Sequence, residues 1–236
     1  MEQLLHAFVQ EAQHLFGNDL VAVILYGSAA TEEHVRGRSD INTVVALHRV
    51  TSDLLRRASS QIRSWHRQGF ATPLFLDAEF VRTSLDVFPI EFLDMRERHR
   101  VLWGPDLLAD LTIERVHLRR QCEQELRGKL LKLRQTYVES AQIPKHLESI
   151  LVSAVASVIV LSRTLLHLAG EKPEGSSADV LEHIRRRFDL STTNLQKAVR
   201  LKRGDVRVTG SSLDLLYQGV LEEFQRLVKV VDGLPT

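Results

Sequence analysis

The sequence predicts an α+β chain in two parts. A domain with a small mixed sheet and flanking helices covers residues 1–110, and an all-helical bundle covers residues 111–236. Three observations carry this. Residues 20–25 are a continuous apolar run of Leu, Val, Ala and Ile, the mark of a strand buried on both faces. Short strand-like runs separated by turn residues then continue to about residue 110. Beyond that point alternation stops and long stretches of helical periodicity take over, divided by breakers at 143–144, 170–175, 189–193 and 204–210.

In chain order, residues 2–17 place Leu4, Leu5, Phe8, Val9, Ala12, Leu15 and Phe16 on one helical stripe, and Gly17-Asn18-Asp19 ends that helix. The apolar strand at 20–25 runs into Gly27-Ser28. A short helix is expected over 29–35, a turn over 36–39 and a second strand over 40–47. Thr51-Ser52-Asp53 offers an N-cap to a helix reaching Arg67. Residues 73–76 read as a third strand, 78–84 as a helix, and 89–95 ("PIEFLDM") as a fourth strand beside the second. That strand would set Glu91 between the core residues Ile90 and Phe92, with Asp94 facing away from Glu91's side. "HRVLWGPDLL" reads as a turn with an apolar flank. Helices follow at about 112–138, 143–169, 177–187, 192–202 and 211–231, the last opened by Ser211 with Asp214 in a capping box. There is no internal repeat.

Composition is ordinary for a globular protein: of 236 residues, 44% are hydrophobic and 26% charged, and the net charge of +1 points to no nucleic-acid partner. The charge is uneven, with a net of −4 over residues 1–111 and +5 over 112–236. The arginine runs at 119–120, 185–187 and 201–207 could offer cations to an anionic ligand, or simply be solvated helix faces. Cys122, the single cysteine, excludes an intrachain disulfide and a cysteine-based zinc cluster. The ten histidines form no HExxH or other close helical pair. The amphipathic, acidic start is unlike a signal peptide. The longest oily segment, residues 150–161, is interrupted by two serines and is too short to cross a bilayer. A cytoplasmic protein with no membrane partner is expected. The apolar second half leaves room for a homodimer surface.

The stretch "YGSAATEEHVRGRSDIN" carries the chemistry. Asp40 and Asn42, two apart at a strand start, share one face, while Ile41 and Val45 turn the other way into a core. Paired oxygen donors there suit a hard cation such as Mg²⁺. Gly27 has no side chain to keep a phosphate away from the backbone, and Ser28 adds a hydroxyl. Taken singly, Gly27 also reads as a turn glycine and Asp40 as a strand-start cap.

Together with "IEFLD" and the following "RVLWGPD", these residues resemble the DNA polymerase β-like nucleotidyltransferase superfamily. The likeness is to its small bacterial, kanamycin-nucleotidyltransferase-like and minimal members, which often carry a helical bundle. The Gly-Ser to Asp spacing fits that family, and the resemblance covers residues 1–108. It implies that Gly27, Ser28 and Ser39 bind the phosphates of a nucleoside triphosphate, with ATP the expected donor. Asp40, Asn42 and Glu91 would be the ligands of Mg²⁺ or Mn²⁺, with Asp40 and Glu91 catalytic. A nucleoside monophosphate would pass to a hydroxyl on a small molecule, a protein or an RNA end, and pyrophosphate would leave. The departure is Asn42, which stands where the family has a second acid. It keeps a carbonyl oxygen and loses the charge. The alternative it opens is a slow or inactive nucleotide-binding, regulatory or antitoxin-like interaction protein.

Overall fold

The computed structural model describes residues 1–31, 40–140 and 143–235. The chain divides into two compact units, Met1–Ile113 and Glu114–Thr236.

In the first unit, helix α1 (Glu2–Phe16) leads into strand β1 (Leu20–Tyr26), which ends in a tight 3-10 turn, Gly27–Ala30. Strand β2 (Asn42–Leu47) follows, then helices α2 (Ser52–Ser59) and α3 (Ile62–Arg67), strand β3 (Leu74–Leu76) and helix α4 (Ala78–Thr83). Helix α5 (Pro89–Glu97) and strand β4 (His99–Trp103) close the sheet. The strand order is β3-β2-β1-β4. β1 is antiparallel to both neighbours and β2 is parallel to β3, so the sheet is mixed, as the sequence predicts.

Both faces of β1 are covered, which is why its run is apolar without alternation. Val23 and Leu25 join Ile41 and Val45 against Leu5, Phe8, Ala12 and Phe16 of α1, with Leu54, Ala58 and Trp65 from α2 and α3. Ala22 and Ile24 join Val44 and Ala46 on the other face, against Val81, Phe92, Met95 and Leu108.

Three local expectations are corrected, and a fourth falls largely outside the described residues. Residues 89–95 form a helix, not a strand. Pro89 occupies its first turn, where a missing N–H costs nothing, and Glu91 sits beside it at the positive end of the helix. The fourth strand is instead His99–Trp103, the segment expected to be a turn. It pairs along β1 from Tyr26↔His99 to Val23↔Trp103. Gly104 ends it at φ +80°, where a Cβ would lie 2.2 Å from the Val21 carbonyl oxygen. The helix expected to run from Thr51 to Arg67 breaks between α2 and α3, although Thr51 caps it as predicted. After β1 only the turn Gly27–Ala30 is described; the rest of the helix expected over 29–35 lies largely outside the described residues.

The second unit holds α6 (Arg115–Ser140), α7 (Pro144–Leu168), α8 (Ser177–Phe188), α9 (Thr193–Arg203) and α10 (Ser211–Gly233). These five helices match the five the sequence predicts. The capping box lies at Ser176 and Asp179 rather than at Ser211 and Asp214. Asp214 instead accepts from the Tyr137 hydroxyl at 2.8 Å. Residues 150–161 belong to the longer helix α7. Within it Lys145–Leu168 has a mean hydropathy of 2.0 in its most apolar window, enough by length and composition to cross a bilayer. Over half of that window is buried inside the chain, with Leu151, Val155, Val158, Leu161 and Leu165 in the core.

Candidate active site at the end of the sheet

The C-terminal end of β1 and the start of β2 meet in register, Tyr26 opposite Asn42, with His99 of β4 on the far side of Tyr26. In-register neighbours on one sheet face stand about 5 Å apart at Cβ, so Asn42, Tyr26 and His99 form a row across three strands. Tyr26 packs with the Ala22–Ile24 face. Ile41 points into the opposite core, at 3% exposure, and pairs with Phe70. Asp40 and Asn42 therefore turn to the Tyr26 face, Asp40 exposed and Asn42 half-buried.

Gly27 turns the chain at φ +72°, and a Cβ there would lie 3.5 Å from Asn42 Nδ2. The Asn42 side chain thus lies directly over the glycine, and the two expected parts of the site are neighbours. The Gly27 N–H is not available to a ligand, since it donates to the Arg98 carbonyl at 2.9 Å. What the turn offers instead is the N–H and hydroxyl of half-buried Ser28, which have no partner among the described residues. Ser39, the remaining expected phosphate contact, lies outside the described residues.

Glu91 stands apart from the expected geometry. A third acid was expected on a strand beside β2. The strand there is β3, and residues 70–76 that lead into and form it carry no carboxylate. The next acid, Asp77, is occupied as the cap of α4 and as acceptor for the Val50 N–H. Glu91 is exposed in the first turn of α5, the helix that lays Phe92 and Met95 on the Tyr26 face. Three residues along a helix is one side of it, so Glu91 and Asp94 are near neighbours rather than opposed.

The sequence reading passed over a group of polar residues around this end of the sheet. Asp94 is held by Arg98 through both carboxylate oxygens, at 2.6 and 2.8 Å from Nη2. Burial, and then the charge of Asp94, push the Tyr26 phenol above its ordinary range. His99 has both ring nitrogens engaged, Nδ1 with the Arg96 carbonyl and Nε2 with Asp106, each at 2.9 Å. Partial desolvation of Asp106 works against ionisation. The His99 hydrogen bond and the Leu108 and Ala109 N–H groups outweigh it and lower its pKa. One signal for this group was present: Pro before an acid at the start of an apolar stretch is a helix start, and it would have moved the strand to residue 99.

Among the described residues no group of three or more His, Cys, Asp or Glu side chains is placed to hold a metal ion. One carboxylate and one carboxamide make no closed cage. They do fit a Mg²⁺ that arrives with its nucleotide, because such an ion takes one or two protein oxygens and draws the rest from phosphates and water.

The first unit combines a small mixed sheet, helices on both of its faces, and a Gly-Ser turn beside an Asp-x-Asn strand start; the second unit is helical. No protein-family model matches the chain, and no curated protein matches it. Among solved structures it is similar to the crystal structure of spectinomycin adenyltransferase AAD(9) from Enterococcus faecialis with ATP and spectinomycin, a kanamycin-nucleotidyltransferase-like protein. The TM-score is 0.61 at 10% identity, over 95% of this chain and 99% of that one. At that identity the likeness is one of fold.

Proposed function

We propose that the protein transfers a nucleoside monophosphate from a nucleoside triphosphate, with ATP as donor, to a hydroxyl group of a small molecule, and releases pyrophosphate. The observation that carries this reading is the placement of Asp40 and Asn42 on one sheet face with the Asn42 side chain against Gly27. The fold is shared over nearly its whole length with a protein crystallised with ATP and a small-molecule acceptor. That neighbour favours a small molecule over a protein or an RNA end.

In this reading Ser28 binds the phosphates, and Ser39 is assigned with it. Asp40 and Asn42 would hold a Mg²⁺ brought with the nucleotide, or Mn²⁺ in its place. Such an ion would supply charge neutralisation at the phosphates. The acceptor oxygen forms its bond to the α-phosphorus as the bond to the β-phosphate oxygen breaks. Glu91, solvent-facing on α5 and away from the strand position expected of a third metal ligand, is the carboxylate assigned to take the acceptor's proton. We read α7 as the core helix of the bundle, and the protein as cytoplasmic.

Nucleotide binding without turnover is the second reading. Asn42 favours it, as does the strand beside β2, which carries no acid over residues 70–76. Pyrophosphate release with each of the four nucleoside triphosphates and a panel of hydroxylated small molecules separates the two. Turnover that disappears in Asp40→Asn supports transfer. Undiminished turnover in that variant removes Asp40 from the mechanism and the assignment with it. Nucleotide binding with no pyrophosphate from any pair leaves the second reading.

A further inference from the structure

The positive charge of the second unit is concentrated in one stretch. Residues 190–213 hold five cations, Lys197, Arg200, Lys202, Arg203 and Arg207, against one acid, Asp205, a net of +4 within the +5 of residues 112–236. On α9, Lys197, Arg200 and Arg203 recur every three residues and so neighbour one another on one side of the helix. The other side, Leu195, Ala198, Val199 and Leu201, is buried. Lys197, Arg200, Arg203 and Arg207 are exposed, and none of these four side chains has an ion-pair or hydrogen-bond partner among the described residues. The arginines of α8 differ: Arg185 meets Glu182 at 2.6 Å and Arg187 meets Glu171 at 3.3 Å. Glu223 of α10, which faces the start of α9, is buried and spent on hydrogen bonds there.

We propose that the Lys197, Arg200, Arg203 and Arg207 side chains form a docking surface for the phosphate backbone of a nucleic-acid duplex. The helix dipole accounts only for cations in the last turn of α9, and Lys197 and Arg207 lie outside it. Four unpaired cations against one acid attract a polyanion and release its condensed counterions. A lipid surface fits less well, because an interfacial helix inserts its apolar side and that side of α9 is already buried. A single strand also fits less well, because residues 190–213 contain no aromatic side chain on which bases could stack. The contact is to the backbone and reads no base sequence. It stands independently of the proposed transfer reaction.

Fluorescence anisotropy of the full chain with a labelled DNA duplex tests this. Four phosphate contacts give an expected slope of about −3.6 in log K against log salt, a loss of roughly a hundredfold between about 50 and about 200 mM. Arg200→Gln combined with Arg203→Gln is expected to make the slope shallower by about two. Arg185→Gln combined with Arg187→Gln removes the same charge from α8 and is expected to change the slope by less than about half a unit. All four positions are exposed, so folding is not at stake. Equal losses in the two double variants would make net charge the cause and overturn the proposal. So would the absence of duplex binding at about 50 mM salt, or tighter binding to phosphatidylglycerol vesicles or to polyglutamate than to the duplex. Each of these outcomes leaves the proposed function standing, since none of the four α9 and loop cations belongs to that site.

Discussion

Asn42 concentrates the chemical question at the level of single residues. Its carboxamide lies beside Gly27, where the family pattern has an acid, so the oxygen count is kept and one negative charge is lost. A deficit of a few kcal/mol in transition-state stabilisation corresponds to about 10²- to 10³-fold in rate. Under the proposed function, Asn42→Asp is therefore expected to raise pyrophosphate release by about tenfold or more, measured at saturating nucleotide; a variant no faster than wild type would show that the second charge is not what limits turnover. The His99–Asp106 contact makes a second prediction at this scale. Asp106 has a lowered pKa in the folded chain, so the stability it supplies is fully present above its ordinary value of 3.8 and fades as pH falls through the folded one. The Tm gap between wild type and Asp106→Asn should narrow steadily from about pH 5 to about pH 3. A gap constant across that range would mean that the carboxylate charge contributes nothing.

Among the elements, α5 and α9 show how context decides an apolar segment. The "PIEFLDM" segment alternates Ile, Glu, Phe in a way that suits a strand, yet Pro89 and Glu91 suit a helix start, and α5 buries Ile90, Phe92, Leu93 and Met95. A segment buried on several sides loses the period that would identify it. The start of α9 is held from outside its own sequence. Glu223 of α10, 3% exposed, accepts from the Ser191 hydroxyl at 3.2 Å, the Asn194 N–H and side-chain amide at 3.0 Å each, and the Leu195 N–H at 2.8 Å. It does for α9 what a local cap would do, which is why Thr192 makes no capping bond to the helix. Gly219 permits the approach, since a Cβ there would fall 2.4 Å from Asn194. Glu223→Gln turns a donor toward these donors and is expected to cost about 2 kcal/mol in denaturant unfolding. A loss within about 0.5 kcal/mol would place the helix start under other control.

Over the whole molecule, each unit has its own core. The first is a sheet sandwiched between two helical layers, and the second is a bundle around α7, whose apolar length is spent on α6, α8, α9 and α10. Separate cores imply separate folding. Residues 114–236 expressed alone are expected to keep a strongly helical circular dichroism spectrum and one cooperative melt. A chain that is unfolded in isolation would show that the bundle depends on the first unit.

How much of this was legible in the sequence follows from what each feature depends on. Local chemistry determined the five C-terminal helices, the buried strand β1, the Thr51 cap and the alternation that sends Ile41 to one sheet face and Asp40 and Asn42 to the other, because each is written in the periodicity or hydrogen-bonding capacity of adjacent residues. Tertiary structure decided the rest. It made residues 89–95 a helix and residues 99–103 the edge strand. It set Arg98 across from Gly27, and placed a carboxylate-free strand beside β2. Those outcomes turn on which segment finds β1's open edge, and pairing energy between residues some 75 positions apart leaves no mark on either segment alone.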